Sequence, residues 1–320
     1  MAGTGTVALI GLSREGMHMS DRLVVIGAPS SAGAYAPGQE QAPRALRDAG
    51  LIQMLREHGV EVEDAGDTEK IRWRPDRDNL RAMNADQVVR TVNGVSVRVH
   101  DALAAEGSAV LVVGGDCTVG VGTVVGALDR GSVGLVYIDQ DADLNTPHST
   151  DEGALDWMGV AHLLCLDGTV AEFAGVGKRV PLLRPEQVLL FGQVNPTSFE
   201  RGVIKELDIA WVQHDAVRED PVGAAEHVVK DWAAQFDQLL VHLDIDVVDF
   251  ADAPLAENTR RNVGLKLETL LAALERLVAP PNWCGLTVCE VNPDHGERDG
   301  STLEDFACRL ARVLAGAFDQ

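Results

Sequence analysis

Asp139, Asp141 and Asp143 stand at alternate positions of "VYIDQDADLNTP", residues 136–147. An apolar run of strand type ends in these three acids, and no lysine or arginine lies between Gly131 and Lys178 to neutralise them. Three further polar clusters follow apolar runs: "GGDCT" (114–118), "DIDVVD" (244–249) and "EVNPDHG" (290–296). Together they offer Cys117, Asp139, Asp141, Asp143, Asp244, Asp246 and Glu290. Carboxylates grouped without cations cannot all stay ionised, because repulsion and partial burial favour the neutral form. A bound divalent cation supplies the missing positive charge. Metal ligation is therefore the chemistry these residues point to.

The elements that must position them alternate along the chain. Apolar, β-branched strand candidates are 22–29, 109–116, 133–139, 187–192, 208–213, 239–246 and 285–291, with 60–67 weaker. Helical stretches are expected at 42–57, 86–105, 118–129, 222–235, 266–277 and 301–317. Val88, Val89, Val92, Val95 and Val99 recur near the 3.6 period of a helix. Ser301 and Glu304 have the spacing of a capping box. Continuous apolar strands between helices predict a parallel sheet covered on both faces. In such a sheet ligands bind beyond the carboxyl ends of the strands. The four clusters are thus expected on one rim.

The bulk numbers narrow the classes. The chain has 320 residues, 46% of them hydrophobic, and no apolar run of the length a membrane span needs. It is expected to form one domain over 21–320, behind a weakly patterned segment at 1–20. Its "TVALIGL" is short and lacks a cationic lead and a small-residue cleavage site, so no signal peptide is expected there. Five scattered cysteines suggest reduced thiols and a cytoplasmic protein. A formal charge of −22 speaks against nucleic acid and anionic lipid as partners.

Simpler readings of the acids are weaker. "DQDADLN" has the oxygen spacing of an EF-hand loop, but Leu144 and Thr150 stand where glycine and glutamate belong, and a strand precedes it. Asp143 or Asp246 alone could cap a helix; five aspartates on one rim are not explained that way. Cys117 alone would be read as a core thiol. His148 and His162 read first as a loop histidine and a helix-face histidine.

These motifs, in this order, resemble the arginase–agmatinase–formimidoylglutamase superfamily, the ureohydrolases. The resemblance starts at "VVIGAPSSAGAYAPGQEQAPRALRDAGL" (24–51) and runs through "EDAGD", "VVGGDCT", "IDQDADLNTP", "DIDVVD" and "EVNP". It implies a three-layer αβα fold around an eight-stranded parallel sheet. It also implies two divalent metal ions, manganese in the family, and hydrolysis of a guanidino or amidine carbon by water activated between them. By resemblance the assembly is a homo-oligomer, a trimer or hexamer.

Carried over by position, Asp139, Asp143, Asp244 and Asp246 stand at ligand positions, with Asp139 and Asp244 bridging. Cys117 and Asp141 replace two ligand histidines, and Asp156 replaces a histidine that shuttles protons. Glu290 would face the cationic group of the substrate, and Asn145 and Glu200 would help to hold the rest of it. The "GQVNPTSFE" segment (192–200) is rewritten where the family reads the amino-acid end of arginine, which speaks against L-arginine itself. A thiolate suits zinc or iron better than manganese, and a single metal is a further expectation. The function expected is a metal-dependent C–N hydrolase of a small cationic guanidino or amidine compound. The alternatives are an inert ureohydrolase-fold protein with a binding or regulatory role, and a one-metal amide hydrolase.

Overall fold

A computed structural model of the chain describes residues 21–318; the segment 1–20 singled out above lies outside them. Eight strands form one sheet: β1 Arg22–Gly27, β2 Glu61–Asp67, β3 Ser108–Val113, β4 Val133–Ile138, β5 Val188–Phe191, β6 Ala210–Val212, β7 Gln238–Asp244 and β8 Trp283–Cys289. Their order is β2-β1-β3-β8-β7-β4-β5-β6, and every pairing is parallel. All eight expected strands are present. The parallel pattern follows from composition: β3, β4, β7 and β8 are buried at every residue, which only a sheet covered on both faces permits.

The helices are α1 Ala42–Asp48, α2 Leu51–Glu57, α3 Ala85–Leu103, α4 Val119–Ala127, α5 Gly159–Leu163, α6 Ala171–Ala174, α7 Ser198–Glu206, α8 His214–Glu219, α9 Pro221–His227, α10 Leu267–Leu277 and α11 Ser301–Ala315. Alternate strand residues face opposite layers. Leu23 and Val25 pack with α1, α2 and α8 to α11, whereas Val24 and Ile26 pack with α3 to α7. The result is the three-layer αβα architecture. On α3, Val88, Val92, Val95 and Val99 are fully buried, as their spacing predicts.

Two expectations about helix ends are corrected. The stretch 42–57 is two helices, because Gly50 takes φ 88° and ends α1. Ser301 does not cap α11: the cap is Gly300, and the Ser301 amide donates to Asp299 Oδ1 (3.0 Å). The capping box forms instead at α7. There Glu200 N donates to Thr197 Oγ1 (3.2 Å) and Thr197 N donates to Glu200 Oε2 (2.7 Å).

Chain order places the four polar clusters together. They follow β3, β4, β7 and β8, which are the four adjacent central strands. Because these strands are parallel, all four clusters emerge at one rim.

Candidate metal centre

Each aspartate is aimed by its own backbone. Asp139 Oδ1 accepts from Asp141 N (2.7 Å), and Asp244 Oδ1 accepts from Asp246 N (2.7 Å). These short Asx turns tie one oxygen of each carboxylate and leave the other for a different partner. Asp244 Oδ2 lies 3.2 Å from Cys117 Sγ, while Asp139 Oδ2 is buried without a hydrogen-bond partner among the described residues. Asp143 takes φ 52° and Glu290 φ 62°. Non-glycine residues held in this region are concentrated at functional sites. Tyr137 donates its hydroxyl to Asp143 Oδ2. Glu290 accepts from Cys117 N and from Gln39 Nε2, both at 3.0 Å.

These residues line one cavity of about 270 Å³. Eight carboxylates reach it: Asp139, Asp141, Asp143, Glu152, Asp156, Asp244, Asp246 and Glu290. One cation, Arg260, faces them. Two groups made wholly of residues lining the cavity have metal-ligand spacing, each within 4.8 Å: Cys117, Asp139 and Asp244, and Asp139, Asp141 and Asp246. Asp139 belongs to both groups, Asp244 to the first only. Burial and mutual repulsion push the carboxyls of Asp139, Asp244 and Glu290 well above the usual range. Asp246 is raised to about 6, chiefly by burial and then by Asp141. Burial, then Asp116, raises Asp156. Burial, the adjacent Cys289 thiol and Asp244 push the Cys117 thiol up as well. A buried orphan oxygen and a ring of under-compensated acids fit divalent cations.

Some expectations need correcting. The acids are not wholly without a cation, since Arg260 Nη1 lies 3.1 Å from Asp141 Oδ2. Glu200 does not line the cavity: its Oε2 accepts from Thr197 N, and its Oε1 accepts from Leu144 N (3.1 Å). Asn145 is buried off the cavity, where its Oδ1 accepts from Ser149 Oγ (3.0 Å). Both are committed to holding the loop after β4. His162 is a core residue, with Nδ1 2.7 Å from Met158 O and Nε2 accepting from Val170 N (3.0 Å). His148 is an exposed loop residue. Sequence reasoning missed Arg260, Tyr35 and Asn258 in the cavity wall. Asn258 Nδ2 donates to Asp246 Oδ2 (2.8 Å).

A parallel αβα sheet with a carboxylate-lined, metal-type cavity on its central rim defines an α/β protein with its site at the strand ends. Comparison with known proteins narrows it. The sequence profile of the Arginase family matches residues 21–316. The arginase of Glaciozyma antarctica (strain PI12) is 29% identical over 283 residues, covering 85% of this chain and 81% of that protein. The crystal structure of arginase from Bacillus subtilis superposes with a TM-score of 0.80 at 23% identity, covering 93% of this chain and 99% of that one. Formimidoylglutamase of Bacillus subtilis gives 0.71 at 16% identity, covering 95% and 88%. The chain belongs to the arginase family, hydrolases of C–N bonds in guanidino and amidino compounds. No helix among the described residues is long and apolar enough to cross a membrane.

Proposed function

We propose that the chain is a metal-dependent hydrolase of a C–N bond in a small cationic guanidino or amidine compound. The observation that carries this reading is the pair of three-donor groups sharing Asp139 inside an acidic cavity. Cys117, Asp139, Asp143 and Asp244 would hold an inner divalent ion, and Asp139, Asp141 and Asp246 an outer one. When bound, such ions polarise the substrate and make water a nucleophile at neutral pH. Manganese suits the carboxylate donors; zinc or iron suits the thiolate.

The remaining roles belong to side chains. Glu290 presents a buried carboxylate, held in place by Cys117 N and Gln39, to the cationic end of the substrate. Asp156 has one oxygen occupied by Trp157 N (2.9 Å). Its other oxygen would be the group that protonates the amine leaving as the C–N bond breaks, a role favoured by the burial and the neighbouring Asp116 that raise its pKa. Arginine is disfavoured as substrate, because the 192–200 segment that would read its amino-acid end spends Thr197 and Glu200 on the α7 cap.

Glu290→Gln is expected to weaken catalysis on a cationic substrate by about 1.5–3 kcal/mol, the worth of a charge-assisted hydrogen bond. That is roughly a 10- to 150-fold loss in kcat/KM. The fold should tolerate it, since Gln39 Oε1 has no partner among the described residues and a flipped Gln39 amide can accept from the new side chain. Steady-state kinetics on the active compound checks this, and unchanged turnover removes Glu290 from the site.

One observation favours a second reading, a binding protein without turnover: Arg260 already pairs with Asp141, a donor of the outer group. A panel of guanidino and amidine compounds, assayed for ammonia and urea release with and without manganese, separates the two. Release that requires metal supports the hydrolase. Binding without release under either condition supports the second reading.

A further inference from the structure

Behind the rim lies another set of donors. Cys117 Sγ, a ring nitrogen of His242 and Cys289 Sγ fall within 4.8 Å of one another, and all three residues are buried. They come from the loop after β3, the interior of β7 and the last residue of β8. His242 Nε2 is 3.4 Å from Cys117 Sγ, and Asp244 Oδ2 is 3.2 Å from the same sulfur. In a tetrahedral zinc site, with Zn–S about 2.3 Å and Zn–N about 2.0–2.1 Å, neighbouring ligand atoms stand roughly 3.5 Å apart. The two measured separations are close to that.

His242 provides the independent observation. Its ring is 1% exposed, and Nδ1 has no hydrogen-bond partner among the described residues. A buried neutral imidazole ordinarily hydrogen-bonds through its polar atoms. This one directs its other nitrogen at sulfur, a weak acceptor. The orientation is fixed on both sides. Tyr137 stacks on the ring, with centroids 4.2 Å apart and planes inclined by 4°. Gly120 abuts its edge so closely that a Cβ there would lie 2.2 Å from Nδ1. A ring clamped with Nε2 toward the Cys117 thiol, and with the Cys289 thiol in the same donor group, is arranged as a ligand.

We propose that Cys117, His242 and Cys289 form a buried three-donor seat for one soft divalent ion of the zinc type. Thiolate and imidazole donors favour zinc, whereas carboxylates favour manganese. Cys117 belongs to this seat and to the inner rim group alike, so the two seats are alternatives. A soft ion is drawn inward to His242 and Cys289, and a hard ion stays on the carboxylates. The inference rests on Cys117 being a metal ligand, not on hydrolysis.

The test uses full-length protein, stripped of metal and kept reduced, titrated with cobalt(II) as the spectroscopic substitute for zinc. A thiolate-to-cobalt charge-transfer band with the intensity of two thiolates is expected, saturating at one equivalent and bleached by zinc. Cys289→Ser should halve the band. His242→Gln should weaken cobalt binding by about tenfold or more, and Asp246→Asn should leave the band as in the parent. No band, or a one-thiolate band unchanged in Cys289→Ser, overturns the proposal. Zinc-edge X-ray absorption on the parent requires no variant. Two sulfur scatterers at about 2.3 Å are expected, and a shell with one sulfur or none overturns it. Neither readout depends on turnover, so the seat and the hydrolase reading fail separately.

Discussion

Asp139→Asn should lose both rim metals, whereas Asp246→Asn should lose only the outer one. Asp139 is the one residue that belongs to both rim donor groups, and its buried Oδ2 has no hydrogen-bond partner among the described residues. Asparagine keeps the side-chain volume, and its Oδ1 can still accept from Asp141 N, so the turn after β4 survives. Two metals contribute several kcal/mol of transition-state stabilisation. Losing about 4 kcal/mol lowers kcat by roughly 10³-fold, and the double loss should reach at least that. Elemental analysis of the purified variants gives the stoichiometry, and steady-state assays give the rate. Retention of one full equivalent in Asp139→Asn would remove it from the shared position.

Metal should stabilise the protein more at pH 7.5 than at pH 5. Asp139, Asp143, Asp244 and Glu290 have folded-state pKa values raised first by burial, and Asp246 is raised to about 6. The folded metal-free protein therefore binds more protons than the unfolded chain. The stability these groups contribute is full below the unfolded carboxylate values near 4. It is lost as pH rises through the folded values, from about 6 upward. A divalent cation replaces those protons as counter-charge, so its effect grows over the same window. At 1,000 times its Kd, one ion adds about 4.1 kcal/mol, or on the order of 5–10 °C in Tm for a chain of this size. The comparison is the Tm difference between manganese-loaded and chelator-stripped protein at the two pH values. Comparing the difference cancels the surface carboxylates, such as Asp64 and Asp129, that are shifted the opposite way. An equal difference at both values would show that the raised carboxylates are not where metal binds.

Legibility in the sequence followed the physics of each element. Strands such as "LVVIGA" and "GLVYI" are buried on both faces, and burial writes itself as an unbroken apolar run. Parallel topology then requires the four acid clusters to share a rim. Arg260 was hidden because it lies 119 residues from Asp141 and reaches it from the loop between β7 and α10. Only tertiary folding makes that pair. His242 sits inside "LLVHLDID" and reads as an interruption of a strand. What identifies it is its distance to Cys117, which no local period encodes. The five cysteines have no spacing in the chain, yet Cys117 and Cys289 meet because β3 and β8 are neighbours. Glu200 misled in the other direction. Family position suggested substrate contact, while the local "TSFE" pattern already announced the capping box that consumes its carboxylate. Local capping chemistry was the better guide at that residue. At Ser301 the same pattern failed, because Gly300 adopts φ 84° and starts the helix itself.

The central claim is that the carboxylate rim holds two divalent ions on which turnover depends. It is tested most directly by stripping the full-length protein with chelator, refilling it with manganese, and measuring bound metal and product release on the same samples. The account predicts that release on the most active guanidino or amidine compound is absent from stripped protein and saturates as the second equivalent binds. Turnover that persists in stripped protein, or saturation without any bound metal, would contradict it.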